Sequence, residues 1–292
     1  MLTLATRYRK FKLAFLFSLL IPLVLPFNTR AEILYQVQLP DRSLWILGTI
    51  HLAAKSSTEL SDKAKHSIST SDRLWMEITP EELNLSAEML FEQGLHDFPY
   101  LREQLPEELW AELAALIARV GLAPSIVQRM EPWLVEYLVM VMWLQREGFK
   151  TSLGIDYQVM RYAALNSMTV SGLESAHDQV TALEKARLGV DPEQHVKEIL
   201  AQFHSISQEL AELERGWQEG DLDYIWQQVE QSLSAQSQRV LLEARNKLWF
   251  ERLQQAVKKD EQHFVAVGAA HLAGEQGLLA LFERAGALIT KH

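Results

Sequence analysis

No cysteine occurs among the 292 residues. Disulfides and thiolate metal sites are thereby excluded, and any metal must be bound through His, Asp or Glu. Cations are scarce: 28 Lys and Arg against 38 Asp and Glu give a formal net charge of −10. So acidic a chain repels phosphate backbones and anionic lipid, which removes nucleic acid and membrane surfaces as expected partners. The His-Glu-x-x-His helix motif of ordinary zincins is absent. Beyond residue 31 no apolar run approaches the ~20 residues of a membrane span. Low-complexity tracts and tandem repeats are also missing, so the composition is that of an ordinary globular chain.

The N-terminus is different. Arg7, Arg9, Lys10 and Lys12 precede an apolar stretch from Leu13 to Phe27, and Thr29-Arg30-Ala31 supplies small residues suited to cleavage. This predicts a signal peptide over 1–31, removed on export to leave a periplasmic or secreted domain at 32–292 with no stable membrane insertion. An uncleaved anchor is the competing reading, against which stand the shortness of the stretch and Pro22 and Pro26 within it. Losing these residues would deepen the formal charge from −10 by five.

Strands are expected at Ile33–Leu39, Leu44–Ile50, Arg73–Ile78, Met168–Gly172, Phe264–Gly268 and Ala287–Thr290, where short apolar runs meet turn residues. Pro40-Asp41 marks a hairpin between the first two. Helical periodicity covers roughly 57–70, 86–93, 107–120, 132–147, 155–165, 175–187, 205–219, 221–233, 236–258 and 275–285. The fold class read from this order is α/β, a mixed central sheet flanked by helices, with helical insertions at about 81–165 and 186–260.

Two segments far apart repeat one construction. Leu44-Trp45-Ile46-Leu47-Gly48-Thr49-Ile50-His51 and Phe264-Val265-Ala266-Val267-Gly268-Ala269-Ala270-His271 are each an apolar strand, a glycine, two residues and a histidine. Each histidine is therefore set just beyond the carboxyl end of a strand, where open α/β sheets bind ligands. Imidazole suits borderline divalent metals and also serves as a base near neutral pH. His66, His96, His177, His195, His204, His263 and His292 have no such framing and receive no role.

Glu77 closes the run Leu74-Trp75-Met76-Glu77-Ile78; it either faces water from an edge strand or is buried, where a carboxylate needs a partner, a proton or a metal. Glu174 follows Gly172-Leu173 and serves either the same site or a helix start, whose dipole favours an acid. Arg245 is three and four residues from Leu241, Leu242, Leu248 and Trp249, on an apolar helix face. There it either pairs with an anion such as Glu77 or Glu174 or snorkels past Trp249 to water. Asn246 beside it offers a donor and an acceptor, and Asp156 in Gly154-Ile155-Asp156 either supports a site residue from behind or, the reading its position favours, caps a helix start.

Taken in order, Gly48-Thr49-Ile50-His51, Leu74-Trp75-Met76-Glu77, Gly172-Leu173-Glu174 with Gln179, Glu243-Ala244-Arg245-Asn246 and Val267-Gly268-Ala269-Ala270-His271-Leu272-Ala273-Gly274 span nearly all of 32–292. In this set the chain resembles the TraB/GumN group, relatives of the Tiki metalloproteases within the broader erythromycin-esterase/ChaN-like fold. The resemblance implies a metal-dependent hydrolytic centre of His51, His271 and Glu77 acting on a peptide or small-molecule substrate. It also places Glu174, Arg245 and Asn246 at family positions. In such a centre the expected chemistry has Glu77 or Glu174 as metal ligand or general base and Arg245 stabilising the developing oxyanion. The implied cofactor is a divalent ion, with Mn, Co and Zn all suited to the donors. A metal-free His/Glu esterase-like hydrolase and a non-catalytic protein holding haem or another ligand remain open alternatives. One outcome is immediate: material recovered after export should begin at Glu32 on N-terminal sequencing, and intact Met1 in a membrane fraction would show an anchor instead.

Overall fold

The computed structural model describes residues 32–54, 59–203 and 205–292; the expected signal peptide at 1–31 and His204 lie outside them. Each of the six expected strands has a counterpart: β1 (Leu34–Leu39), β2 (Arg42–Thr49), β3 (Arg73–Met76), β4 (Val170–Gly172), β5 (His263–Gly268) and β6 (Leu288–Lys291). They form one mixed sheet in the order β4-β3-β5-β2-β1-β6. β1 runs antiparallel to β2 through the Pro40-Asp41 turn and antiparallel to β6, while β2, β5, β3 and β4 are mutually parallel. β5 reads Phe264-Val265-Ala266-Val267 without a polar break because it lies between two parallel neighbours and both faces are covered.

Register decides where the site falls. Thr49 pairs with Gly268, Met76 with Ala266, and Met76 again with Gly172. The four parallel strands thus stop nearly level, so the residues just past their carboxyl ends, His51, Glu77, Glu174 and His271, emerge along one sheet edge.

Helices cover the sheet and also build a second apolar core away from it. Ile155, Val159 and Ala163 of the helix Ile155–Leu165, with Trp249 and Leu253 of the helix Ala244–Ala256, pack on the sheet around Leu74, Phe264 and Val265. The other core gathers Leu101, Leu113, Ile117, Val127, Leu134 and Val196 from the segments between 90 and 139 and between 180 and 203. Several helices depart from the sequence expectation, among them Asp62–Ser69, which starts later than 57, on the Ser61 cap. Pro80–Gly94 starts earlier than 86, on the Thr79 cap, and Pro192–Gln202 was not anticipated although Asp191 caps it and Pro192 opens it. The long helix expected over 236–258 is broken by a π turn at Arg239–Glu243.

One close approach fixes the rim of the sheet edge. The backbone N–H of Ile155 donates to Ile50 O at 2.8 Å, and a Cβ on Gly154 would lie 2.3 Å from His51 O and 2.6 Å from its carbonyl carbon. No side-chain rotation relieves a clash with backbone, so Gly154→Ala should lower stability by about 1–3 kcal/mol. Urea denaturation measures this, and an unchanged midpoint would show that the rim yields freely.

Candidate functional site

Arg245 stands at the centre of the converging side chains. From the helix Ala244–Ala256 its Nε donates to Glu174 Oε2 at 2.9 Å, and its Nη2 donates to Glu174 Oε1 at 2.6 Å and Glu77 Oε2 at 2.9 Å. Nη1 donates to the Leu241 carbonyl at 2.8 Å and to His271 Nε2 at 3.2 Å. All five guanidinium N–H groups are thereby engaged. Its side chain is 13% exposed, so the snorkelling alternative does not hold, and the guanidinium lies 4.6 Å from the Trp249 ring instead. Leu248, expected on the same apolar face, points to solvent at 63% exposure; the face is made by Leu242, Asn246, Trp249 and Leu253.

Glu77 is buried, and β3 lies inside the sheet between β4 and β5, so the edge-strand alternative is corrected. Besides Arg245, its Oε1 accepts the Gly268 N–H at 2.8 Å. Burial pulls the carboxyl upward, but Arg245, His271, His51 and the Gly268 N–H outweigh it and hold the pKa at about 2. Glu174 also accepts Trp249 Nε1–H at 3.2 Å and serves no helix start; Ser175 caps the following helix. Burial raises its pKa, opposed by Arg245.

The two histidines arrive alike and are held differently. His51 Nδ1 is 2.9 Å from Asp156 Oδ2, while Asp156 Oδ1 accepts the Thr49 hydroxyl at 2.6 Å. The N-cap expectation for Asp156 is therefore corrected: Gly154 occupies the cap, and the Asp156 carboxylate is spent on His51 and Thr49. His51 is 66% exposed; Asp156 raises its pKa to about 9, with solvent screening the pull. His271 Nδ1 is 2.6 Å from Asn246 Oδ1, and Asn246 Nδ2 donates to Gln276 O at 2.9 Å. That last bond sets the amide so that its oxygen faces the ring, which makes Nδ1 the donor and leaves the Nε2 lone pair toward the site. Burial, reinforced by Arg245, pushes the His271 pKa down to about 3.

The tips meet around Gly268. A Cβ there would lie 3.2 Å from Glu77 Oε1, 3.5 Å from His271 Cδ2 and 3.9 Å from His51 Nε2, so glycine keeps the space between them clear. His271 Nε2 and Glu77 Oε1 are 3.9 Å apart. Among the described residues no three His, Asp or Glu side chains are already grouped as ligands of one ion. In donor chemistry the set nevertheless fits a cation: two imidazoles with Nδ1 committed elsewhere, an ionised carboxylate and a glycine-sized opening. Arg245 Nη1 sits on the His271 nitrogen that an ion would require.

The sequence offers Asp156 as a supporting group but favours the cap and does not identify His51 as its partner, because the two are 105 residues apart and nothing local links them. Sequence reasoning missed the contact of Trp249 with Glu174, for which the four-residue spacing from Arg245 was the available signal. Outside the site, His195 is buried against Glu136 at 2.8 Å, and His263 accepts Trp75 Nε1–H at 2.9 Å within the sheet.

The opposed tuning of the histidines sets a pH dependence in metal-free protein. His271, held neutral, contributes fully above pH 6.5 and progressively less as pH falls toward about 3. His51, held protonated, contributes fully below pH 6.5 and loses this as pH rises through about 9. Stability with chelator present should peak near pH 6.5, the ordinary value of both rings, with the steeper fall on the acid side because His271 is closed to solvent. Urea titrations at about pH 5.5, 6.5 and 7.5 check this; His271→Gln should flatten the acid limb, and a steady rise to pH 9 would contradict it.

A family model for TraB/PrgY/gumN matches residues 33–291, from the residue before β1 to the end of β6. Among curated proteins, "Uncharacterized protein YbaP" of Escherichia coli (strain K12) is 24% identical over 247 residues, covering 82% of this chain and 87% of the relative. The protein of the same name from Shigella flexneri matches with the same identity and coverage. The matched span takes in every strand of the sheet and every residue gathered around Arg245, and the chain belongs to the TraB/PrgY/gumN family.

Proposed function

We propose that this protein is an exported metal-dependent hydrolase, a peptidase of the Tiki type, with His51, His271 and Glu77 binding a divalent cation. The observation that carries the reading is the shared treatment of the two imidazoles. Each commits Nδ1 to a fixed oxygen, Asp156 for His51 and Asn246 for His271, as metal-ligating histidines do. Charge supports it as well: Glu77, Glu174 and Asp156 against Arg245 leave an excess of two negative charges when both rings are neutral, matched to a dication.

Mn, Co or Zn would suit these donors, and the bound ion would acidify a water and polarise the scissile carbonyl. The protein's own groups do the rest. Glu77, ionised and fixed by Arg245 and Gly268, serves as ligand. Glu174 anchors Arg245 from the opposite side and, with its pKa raised, is the carboxylate closer to accepting a proton. The Nη1 N–H now given to His271 is the Arg245 donor that can be transferred to a developing oxyanion. Asn246 keeps His271 in one tautomer. The substrate is a peptide or small molecule, not nucleic acid.

One observation favours a second reading. Asp156 orients His51 as a carboxylate orients a catalytic imidazole, so the same site would suit a metal-free histidine hydrolase with Asp156 rather than a glutamate behind the ring.

Metal content, thermal midpoint and peptide-library cleavage of residues 32–292 separate the two. His51→Ala or His271→Ala should abolish cleavage and weaken metal binding by at least about 10–100-fold, the loss typical for outer partners alone. Arg245→Ala should keep measurable metal, lose turnover and fall in stability, because it leaves buried carboxylates unpaired. Undiminished cleavage after exhaustive chelation would discard the metal in favour of the histidine base.

A further inference from the structure

A pocket of about 200 Å³ opens where the second helical core meets the segment that leads into Arg245. One wall is a single face of the helix Pro132–Arg146, on which Trp133, Tyr137 and Met140 follow at helical spacing. Leu183, from the helix Ala176–Ala186, and Leu241, from the π turn, close the other side. Tyr137, Met140, Leu183 and Leu241 are each only partly covered, so the pocket presents apolar surface that the fold leaves unfilled.

Its polar end asks for no charge. Arg187 binds both carboxylate oxygens of Glu136, through Nε at 2.9 Å and through Nη2, and Nη1 reaches Glu198 at 3.3 Å. The buried His195 completes the arrangement at 2.8 Å from Glu136. An anion would face Glu136 and a cation would face Arg187, each already neutralised by the other. An engineered apolar cavity of about 150 Å³ holds benzene, so this volume is enough for a phenyl or branched aliphatic group.

Leu241 joins the pocket to the catalytic side. It lines the pocket, and its carbonyl accepts Arg245 Nη1–H at 2.8 Å, beside the N–H given to His271. The π turn supplies this carbonyl, and such interruptions of a helix gather at functional sites.

We propose that this pocket is a specificity subsite that receives one aromatic or branched apolar side chain of the substrate, next to Arg245; the assignment rests on the hydrolase reading. An occupant packed against Leu241 would steady the carbonyl that holds Arg245, so filling the pocket favours the site geometry as well as affinity.

The test begins with binding and needs no turnover. N-acetyl-phenylalaninamide and N-acetyl-leucinamide, titrated by ligand-observed NMR into residues 32–292, should bind about 100-fold more tightly than N-acetyl-alaninamide, in the range a hydrophobic pocket discriminates. Met140→Trp fills the pocket and should reduce that preference at least tenfold. Leu183→Ala enlarges it and should shift preference toward the tryptophan analogue, which decides the matter if the filled variant does not fold. Equal binding of all three probes, or a phenylalanine preference untouched by both substitutions, would overturn the subsite. Preferential binding that responds to the variants, in a protein that cleaves no peptide, would instead uphold the pocket and overturn the peptidase reading.

Discussion

A guanidinium with all five N–H groups engaged inside the protein is the constraint on which the candidate site depends. Arg245 draws together Glu77 from the end of β3, Glu174 from beyond β4, His271 from beyond β5 and the carbonyl of Leu241 in the π turn that precedes its helix. Without it, two buried carboxylates would face one another at the sheet edge and at least one would take up a proton. Removing a single partner from such a set commonly costs about 3–5 kcal/mol, because the charges left behind remain desolvated. A planar fork is needed for this. Lysine has the charge but could not grip Glu174 through two parallel bonds and still reach Glu77 and His271.

The sheet delivers those partners through register. Because the parallel strands end level, short excursions of one to three residues suffice to bring Glu77, Glu174 and His271 within reach of a single side chain. The helical core gathered around Leu113, Ile117 and Leu134 is separate from the sheet's core, yet it meets the Arg245 helix at the π turn. Leu241 thus stands between the charged centre, through its carbonyl, and partly covered apolar walls, through its side chain. A scaffold divided in this way allows the apolar walls to vary while the charged centre stays fixed.

Much of this was legible in the sequence, for identifiable reasons. Strand positions followed from apolar runs bounded by turn residues, and β5, buried on both faces, gave the plainest signal. The paired Gly-x-x-His units and Glu77 inside an apolar strand disclosed most of the site, since a buried carboxylate advertises a partner even when the partner is unknown. The remainder depended on long-range pairing. Nothing near Asp156 says that its carboxylate meets a histidine 105 residues away, and a helix-start position supplies a sufficient local excuse for it. Arg245 was read to the correct face, but counting Leu248 as part of that face failed because three-residue and four-residue neighbours on both sides overlap at the margin of a helix stripe. The helix Pro192–Gln202 escaped because its apolar residues are few, although Asp191-Pro192 marks its start.

The repeated histidine unit turns out to make two unlike residues from one local design. Both follow a parallel strand and a glycine, yet His51 is backed by a carboxylate and stands open, whereas His271 is backed by an amide and lies under Trp249 and Arg245. A carboxylate behind an imidazole favours the charged ring; a neutral amide in a buried setting beside a guanidinium favours the uncharged one. At neutral pH His51 therefore carries a proton that His271 does not. Any cation that takes both Nε2 atoms must expel the proton of His51 alone, so binding should release about one proton near pH 7.5. Calorimetry of metal binding in buffers of differing ionisation enthalpy reads that number. Release of no protons would mean that His51 stays charged and outside the ligand set, leaving it to act on the substrate instead.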